Sequence, residues 1–189
     1  MQNQTDTIAT DRTKTMVMTA LMTALACIFG PVSVPIGPVP ISLAPFCIFF
    51  SVYVLGMKKG TMATCLYLLI GLAGLPVFSG FSGGPAKLFG PTGGYLVGYI
   101  FMALISGWFI DRFPGRYIVR FAGMFLGICA CYTLGTLWLA YSAGMTLKAA
   151  FAAGVAPFIL LDVLKIVISI VIGEQIRNRL GAAGLAVWA

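Results

Sequence analysis

Apolar residues in this chain are grouped in long blocks, with neither the two-residue alternation of a strand nor the narrow stripe of a surface helix. Six blocks approach or reach the length of a membrane-spanning helix. They run over about 16–30, 41–57, 61–78, 91–110, 118–141 and 154–173, and charged, glycine or proline residues punctuate them. A spanning helix takes about 20 predominantly apolar residues, with a range of about 17–25. No stretch between the blocks is long enough for a soluble domain. The pattern predicts an all-α integral membrane protein with six transmembrane helices. It forms a single membrane domain over 1–189, with residues 1–15 and 174–189 as tails.

Composition adds mainly exclusions. Hydrophobic residues make up 60% of the 189 and charged residues only 9%, against about 25% charged in an average soluble domain. A fold of this size has too much surface to hide so much apolar material from water. A disordered chain, a disulfide-stapled secreted module and an ordinary cytosolic enzyme are excluded. The 12 Lys and Arg against 5 Asp and Glu give a net charge of +7, which in a soluble chain would suggest nucleic acid. In a membrane chain, the location of the charges decides what they mean. With the N-terminus inside, the cytoplasmic side receives Arg12, Lys14, Lys58, Lys59, Arg112, Arg116, Arg120, Arg177 and Arg179. Only Lys87 and Lys148 fall outside, and Lys165 falls within a span. Both termini are therefore expected to be cytoplasmic, and nucleic acid is not needed to explain the charge.

Several local signals have structural readings. Thr23-Ala24-Leu25-Ala26-Cys27 loosely mimics a lipoprotein cleavage site, but Ala24 is smaller than the residue such sites prefer, so the segment reads as an uncleaved first helix. The cysteines 27, 47, 65, 129 and 131 are odd in number and all lie in apolar spans. None forms a CxxC pair, and two cysteines separated by two residues point about 200° apart on a helix, so they read as small core residues and not as metal ligands. Gly90, Gly94 and Gly98, and then Gly123, Gly127, Cys131 and Gly135, are spaced for close helix packing. Met16, Ala20 and Ala24 form a small-residue stripe that reads first as internal packing. Trp108, Trp138 and Trp188 read as interfacial anchors.

Three features on the expected outer side carry candidate chemistry. The loop 30–40 contains four prolines and is apolar, which fits either a connector on the membrane surface or a lid. The stretch 71–98 is rich in glycine and predicts a tightly turned loop against a ligand or a helix. Asp162 and Lys165 lie within the last span at i, i+3 spacing, so they share a helix face. An intramembrane charge costs about 2.5–3.5 kcal/mol on insertion scales. The pair is therefore either an interhelical ion pair or a polar site facing a cavity, and its nearness to both loops favours the cavity.

Catalysis finds little support. The chain has no histidine, which removes HExxH metal sites and histidine-based triads. Asp162 is the only acid placed within a span, so an aspartyl dyad lacks its second member. No GxxxxGK[ST] loop occurs, so no ATPase is expected in this chain. A binding protein without cofactor or metal is the expectation.

Gly71-Leu-Ala-Gly-Leu-Pro-Val-Phe, Gly90-Pro-Thr-Gly-Gly-Tyr-Leu-Val-Gly, Pro38-Val-Pro-Ile-Ser and the Asp162-Val-Leu-Lys165 step together resemble the BioY family. BioY proteins are biotin-specific S components, the substrate-capture subunits of energy-coupling factor (ECF) transporters. The resemblance covers essentially the whole chain. It departs at Ser42-Leu43-Ala44-Pro45, where the family usually reads Thr-Leu-Gln-Thr, and at Lys87.

The resemblance implies an S-component-like bundle in the plasma membrane of a prokaryote. Such a bundle captures biotin from outside and docks on a transmembrane coupling protein with two ATPase subunits. Ala20 and Ala24 match the small-residue pattern that faces the coupling protein. Asp162 and Lys165 are the expected polar contacts of biotin. Ser79, Phe81, Ser82, Gly83, Gly84, Lys87, Thr92, Gly93 and Tyr95 are expected to form one wall, and Val34, Ile36 and Val39 to close the top. The alternatives are an S component for another vitamin, or a structural membrane protein in which the Asp162–Lys165 pair only joins helices.

Overall fold

A computed structural model describes residues 2–186, with side chains described for 11–186. The described residues form seven helices and one two-stranded hairpin, in the order α1 (Gln2–Phe29), β1 (Ser33–Val34), β2 (Ile41–Ser42), α2 (Ala44–Leu72), α3 (Pro85–Phe89), α4 (Gly93–Arg112), α5 (Tyr117–Ser142), α6 (Leu147–Gly154) and α7 (Ile159–Ala182). Among them α2, α4 and α5 are long and apolar enough to cross a membrane. The α6–α7 pair, bent by 45°, makes a fourth if it is one span.

Seven helices stand where the hydrophobic blocks predict six, and each difference has a local cause. The two blocks 41–57 and 61–78 are joined in α2, which is interrupted at Gly56 (φ 79°, ψ 178°). Only glycine adopts that conformation without strain. The chain folds back there: a Cβ on Gly60 would stand 2.5 Å from the Cα of Val52, whereas eight residues of straight helix span about 12 Å. The reversal therefore occurs at Gly56, ahead of the Lys58-Lys59 punctuation, and α2 consists of two packed antiparallel arms. The second arm ends at Leu72, and 73–84 form the glycine-rich loop. The last block, 154–173, corresponds to the break at 155–158 and the first part of α7, and the short α6 forms just ahead of it. Helix α1 starts at Gln2 and α7 continues to Ala182, so helix extends well into the stretches read as tails.

The two small-residue series lie at one interface. Helices α4 and α5 form the most extensive pair, with Gly94 against Trp138, Gly98 against Cys131, Gly127 against Ser106 and Gly135 against Tyr95. Small residues are what allow helices to approach closely where lipid supplies no hydrophobic driving force. The main core fills the space among α2, α4, α5 and α7, with Tyr53, Tyr67, Phe49, Phe78 and Met102 fully buried. A smaller cluster of Met22, Val54, Leu55 and Ala63 seats α1 on the reversal of α2.

On α1 the buried face is Thr19, Met22, Thr23 and Ala26, while Met16, Ala20 and Ala24 are exposed. The small-residue stripe is thus not part of the internal packing of this chain. Trp138 donates its indole N–H to the Gly90 carbonyl (2.9 Å), and Trp108 is half exposed. The anchor expected at Trp188 lies outside the described residues.

Candidate functional site

Near one end of the bundle a small cavity of about 50 Å³ is enclosed by α4, α5, α7, the β2 strand and the start of α2. Helix α7 brings Asp162 and Lys165 to it on the shared face that their spacing requires. Lys165 Nζ donates to Asp162 Oδ1 (2.7 Å) and to the Ser42 carbonyl (2.8 Å). Helix α5 supplies Tyr132, whose Oη donates to Asp162 Oδ2 (2.5 Å). Both oxygens of a buried carboxylate are therefore engaged by donors, and the adjacent lysine neutralises it. Each carboxylate oxygen keeps a second lone pair, and the ammonium keeps one N–H beyond its two bonds. The constellation thus presents one donor side by side with an acceptor.

The rest of the lining is largely apolar or aromatic. Tyr95, Leu96 and Tyr99 come from α4, Ile128 and Cys131 from α5, and Phe158 from the break before α7. Tyr95 is held by its own hydroxyl, which donates to the Gly154 carbonyl (3.1 Å). This mixture of apolar wall and few convergent polar groups is what small-molecule sites are built from.

The proline-rich loop is a hairpin, not a merely extended connector. β1 pairs with β2 antiparallel, Ser33 opposite Ser42 and Val34 opposite Ile41, and Gly37 turns at its tip with φ 73°. The glycine loop is tied to it where the Gly80 N–H donates to the Pro31 carbonyl (3.1 Å). The glycine loop is itself pinned by Phe78 N–H to the Ser82 carbonyl (2.9 Å) and by Ser82 Oγ to the Ser79 carbonyl (2.8 Å). The proline-rich loop and the glycine loop therefore form one roof over the Asp162 end.

A family model described as the BioY family matches residues 1–182. The chain belongs to the BioY family. It is 37% identical over 168 residues to a probable biotin transporter BioY of Pyrococcus horikoshii, covering 89% of this chain and 99% of that protein. It is 36% identical over 163 residues to a biotin transporter BioY of Thermotoga maritima, covering 86% and 95%. The crystal structure at 2.1 Å of the S-component for biotin from an ECF-type ABC transporter superposes with a TM-score of 0.83 at 30% identity. That match covers 88% of this chain and 92% of the other. Length, fold and relatives agree that this is a multi-pass membrane protein.

In this BioY chain the structure brings Asp162, Lys165, Ser79, Thr92, Tyr95 and Val39 together around the cavity. Other residues expected from sequence stand elsewhere. Phe81 has its ring outside, 70% exposed and with φ 55°. Val34 and Ile36 are exposed on the hairpin. Ser82, Gly83, Gly84 and Lys87 belong to the glycine loop and α3 without lining the cavity, and burial pushes the Lys87 ammonium below its ordinary value. Gly93 lines a separate apolar groove between α4 and α5. Tyr132, Tyr99, Cys131, Phe158 and the Ser42 carbonyl are among the site groups that sequence reasoning missed. A tyrosine in an apolar span looks like an anchor, and a backbone carbonyl leaves no trace in composition.

The opposite end of the bundle carries a second buried polar group. Arg120, counted from sequence among the charges of the cytoplasmic side, is buried within α5. Its guanidinium donates to Glu174 Oε2 (2.6 Å), Tyr53 Oη (2.7 Å) and the Phe113 carbonyl (3.1 Å). Arg177 donates to the Tyr53 carbonyl (3.1 Å) and lies 3.5 Å from Asp111. Asp111 in turn accepts from the Met57 N–H (2.7 Å) just beyond the Gly56 reversal. These bonds join α2, α4, α5 and α7 far from the cavity end.

Proposed function

We propose that this protein is the substrate-specific subunit of an ECF-type ATP-driven transporter and that it captures biotin at the Asp162–Lys165 end. The observation that carries the reading is the buried ion pair facing a cavity under the hairpin roof. A pair that only joined helices would have no need of a cavity beside it. Biotin has a ureido group whose N–H donors flank its carbonyl acceptor, on an apolar fused ring with an apolar tail. Asp162 is suited to accept a ureido N–H while Lys165 donates its remaining N–H to the ureido oxygen, because their 2.7 Å separation presents acceptor and donor side by side. Tyr95, Tyr99 and Phe158 are suited to the ring. Ser79, Thr92 and Val39 continue the lining beneath the roof, with Lys87 farther along the same loop system. At about 50 Å³ the cavity is smaller than the roughly 300–1,000 Å³ of ligand pockets. Binding therefore requires the roof or walls to move outward.

Six passes with both termini in the cytoplasm fit the distribution of basic residues. The two arms of α2 count as two passes, and the broken α6–α7 pair as one. On this reading the cavity opens to the outside of a prokaryotic plasma membrane and the Arg120 network lies at the cytoplasmic end. The exposed Ala20–Ala24 face of α1 docks on the transmembrane coupling protein, whose two associated ATPases hydrolyse ATP. The capture subunit itself works by binding, without a cofactor.

The test is equilibrium binding of radiolabelled biotin to the purified chain without partners, challenged with unlabelled biotin, thiamine, riboflavin and folate. Displacement by biotin alone is the expected result. Displacement by another of these vitamins at comparable concentration, or the absence of saturable binding, would overturn the reading.

A further inference from the structure

Two spaces in the bundle meet at one side chain. The polar cavity of about 50 Å³ lies on one side. On the other, a groove of about 490 Å³ opens on the outer surface of α5, α6 and the break before α7. Phe125, Leu137, Leu147, Phe151 and Ile159 make that groove apolar, and an apolar outer surface of a spanning helix is where lipid chains lie. Tyr132 is the residue common to both linings. Its hydroxyl reaches inward to Asp162 Oδ2, while its ring is only partly buried between the two spaces.

We propose that Tyr132 is a positioning and specificity-determining residue of the biotin site: its hydroxyl orients the Asp162 carboxylate, and its ring keeps lipid chains away from the ion pair. This rests on the biotin reading above. Without the hydroxyl, the Asp162 side chain keeps its Lys165 bond at Oδ1 but loses the second anchor at Oδ2 that fixes the plane of the carboxylate. The acceptor then no longer has a fixed direction for a ureido N–H. Without the ring, the wall between cavity and groove is gone, and an alkyl chain can compete for the space beside the ion pair. The two roles are carried by different atoms, so different variants separate them.

The experiment is radiolabelled-biotin binding to the full chain in lipid nanodiscs, comparing wild type with Tyr132→Phe, Asp162→Asn, the double variant, and the opening variants Tyr132→Ala and Tyr132→Val. Losing a hydrogen bond to a charged group should weaken biotin binding about tenfold or more in Tyr132→Phe. Because the hydroxyl acts through the carboxylate, Tyr132→Phe should cost less than twofold further in the Asp162→Asn background. Residues acting through one another are non-additive in this way. The opening variants should bind more weakly than Tyr132→Phe, and added dodecyl detergent should inhibit them competitively while wild type and Tyr132→Phe are unaffected. Tyr132→Phe within twofold of wild type, or full additivity with Asp162→Asn, would overturn the positioning role. Opening variants that match Tyr132→Phe and ignore the detergent would overturn the sealing role. A wild-type protein that binds no biotin would overturn the functional reading, and this inference with it.

Discussion

Asp162 and Lys165 are costly in a membrane and stable only together. Burying one unpaired charge costs several kcal/mol, whereas a paired, hydrogen-bonded couple recovers much of that cost. Here Lys165 and Tyr132 satisfy Asp162, and Asp162 and the Ser42 carbonyl satisfy Lys165. Replacing Asp162 by Asn or Lys165 by Met should each weaken biotin binding by about 100-fold or more, read by equilibrium binding. The exchanged pair, Asp162→Lys with Lys165→Asp, keeps the ion pair but reverses donor and acceptor. Loss of biotin binding in a folded exchanged variant is the expected outcome, and unchanged binding would leave the pair with a structural role only. The two charges were legible in the sequence because an apolar span makes any charge conspicuous. Their partners were not, since Tyr132 and the Ser42 carbonyl become visible only once α5 and the hairpin are placed against α7.

The reversal within α2 and the network at the far end from the cavity set the frame that holds the site. Gly56 needs φ 79°, and an added Cβ would lie 3.0 Å from the Asp111 carboxylate. Gly56→Ala should therefore destabilise by more than about 1 kcal/mol, seen as a lower melting temperature in detergent. Arg120→Met removes the ion-pair partner of Glu174, which keeps the Tyr53 hydroxyl as a donor (2.8 Å), and should destabilise by about 1.5–3 kcal/mol. Arg120→Met combined with Glu174→Leu should melt higher than Arg120→Met alone. A double variant as unstable as the single one would mean that packing, and not charge pairing, sets the contribution of Arg120. Element existence could be read from the apolar blocks because membrane spans are long and one-sided in composition. The turning point within α2 could not, because the Lys58-Lys59 pair is what punctuates the sequence, whereas the chain reverses at the positive-φ Gly56. Short α3 and α6 escaped for the complementary reason, being too brief to produce a block of their own. The burial of Arg120 was not legible because an arginine that marks orientation can also complete a buried pair, and only the position of Glu174 on α7 reveals it.

At the scale of the whole molecule, the proposed capture site and the proposed docking face lie on different parts of the chain. The cavity lies beneath the hairpin and glycine loops, while Ala20 and Ala24 lie exposed on α1. Ala20→Leu with Ala24→Leu should abolish co-purification with the coupling protein and ATPases while leaving biotin affinity within twofold of wild type. Simultaneous loss of both would argue that α1 supports the site and not the docking. The central claim is that this chain alone forms the biotin site around the Asp162–Lys165 pair. Calorimetric titration of the purified chain with biotin, with no partner and no ATP, tests it most directly when run beside Asp162→Asn. Saturable one-to-one binding to the wild type, with heat lost in the variant, is the predicted result. Equal binding by both proteins, or no binding until the partner subunits are added, would contradict it.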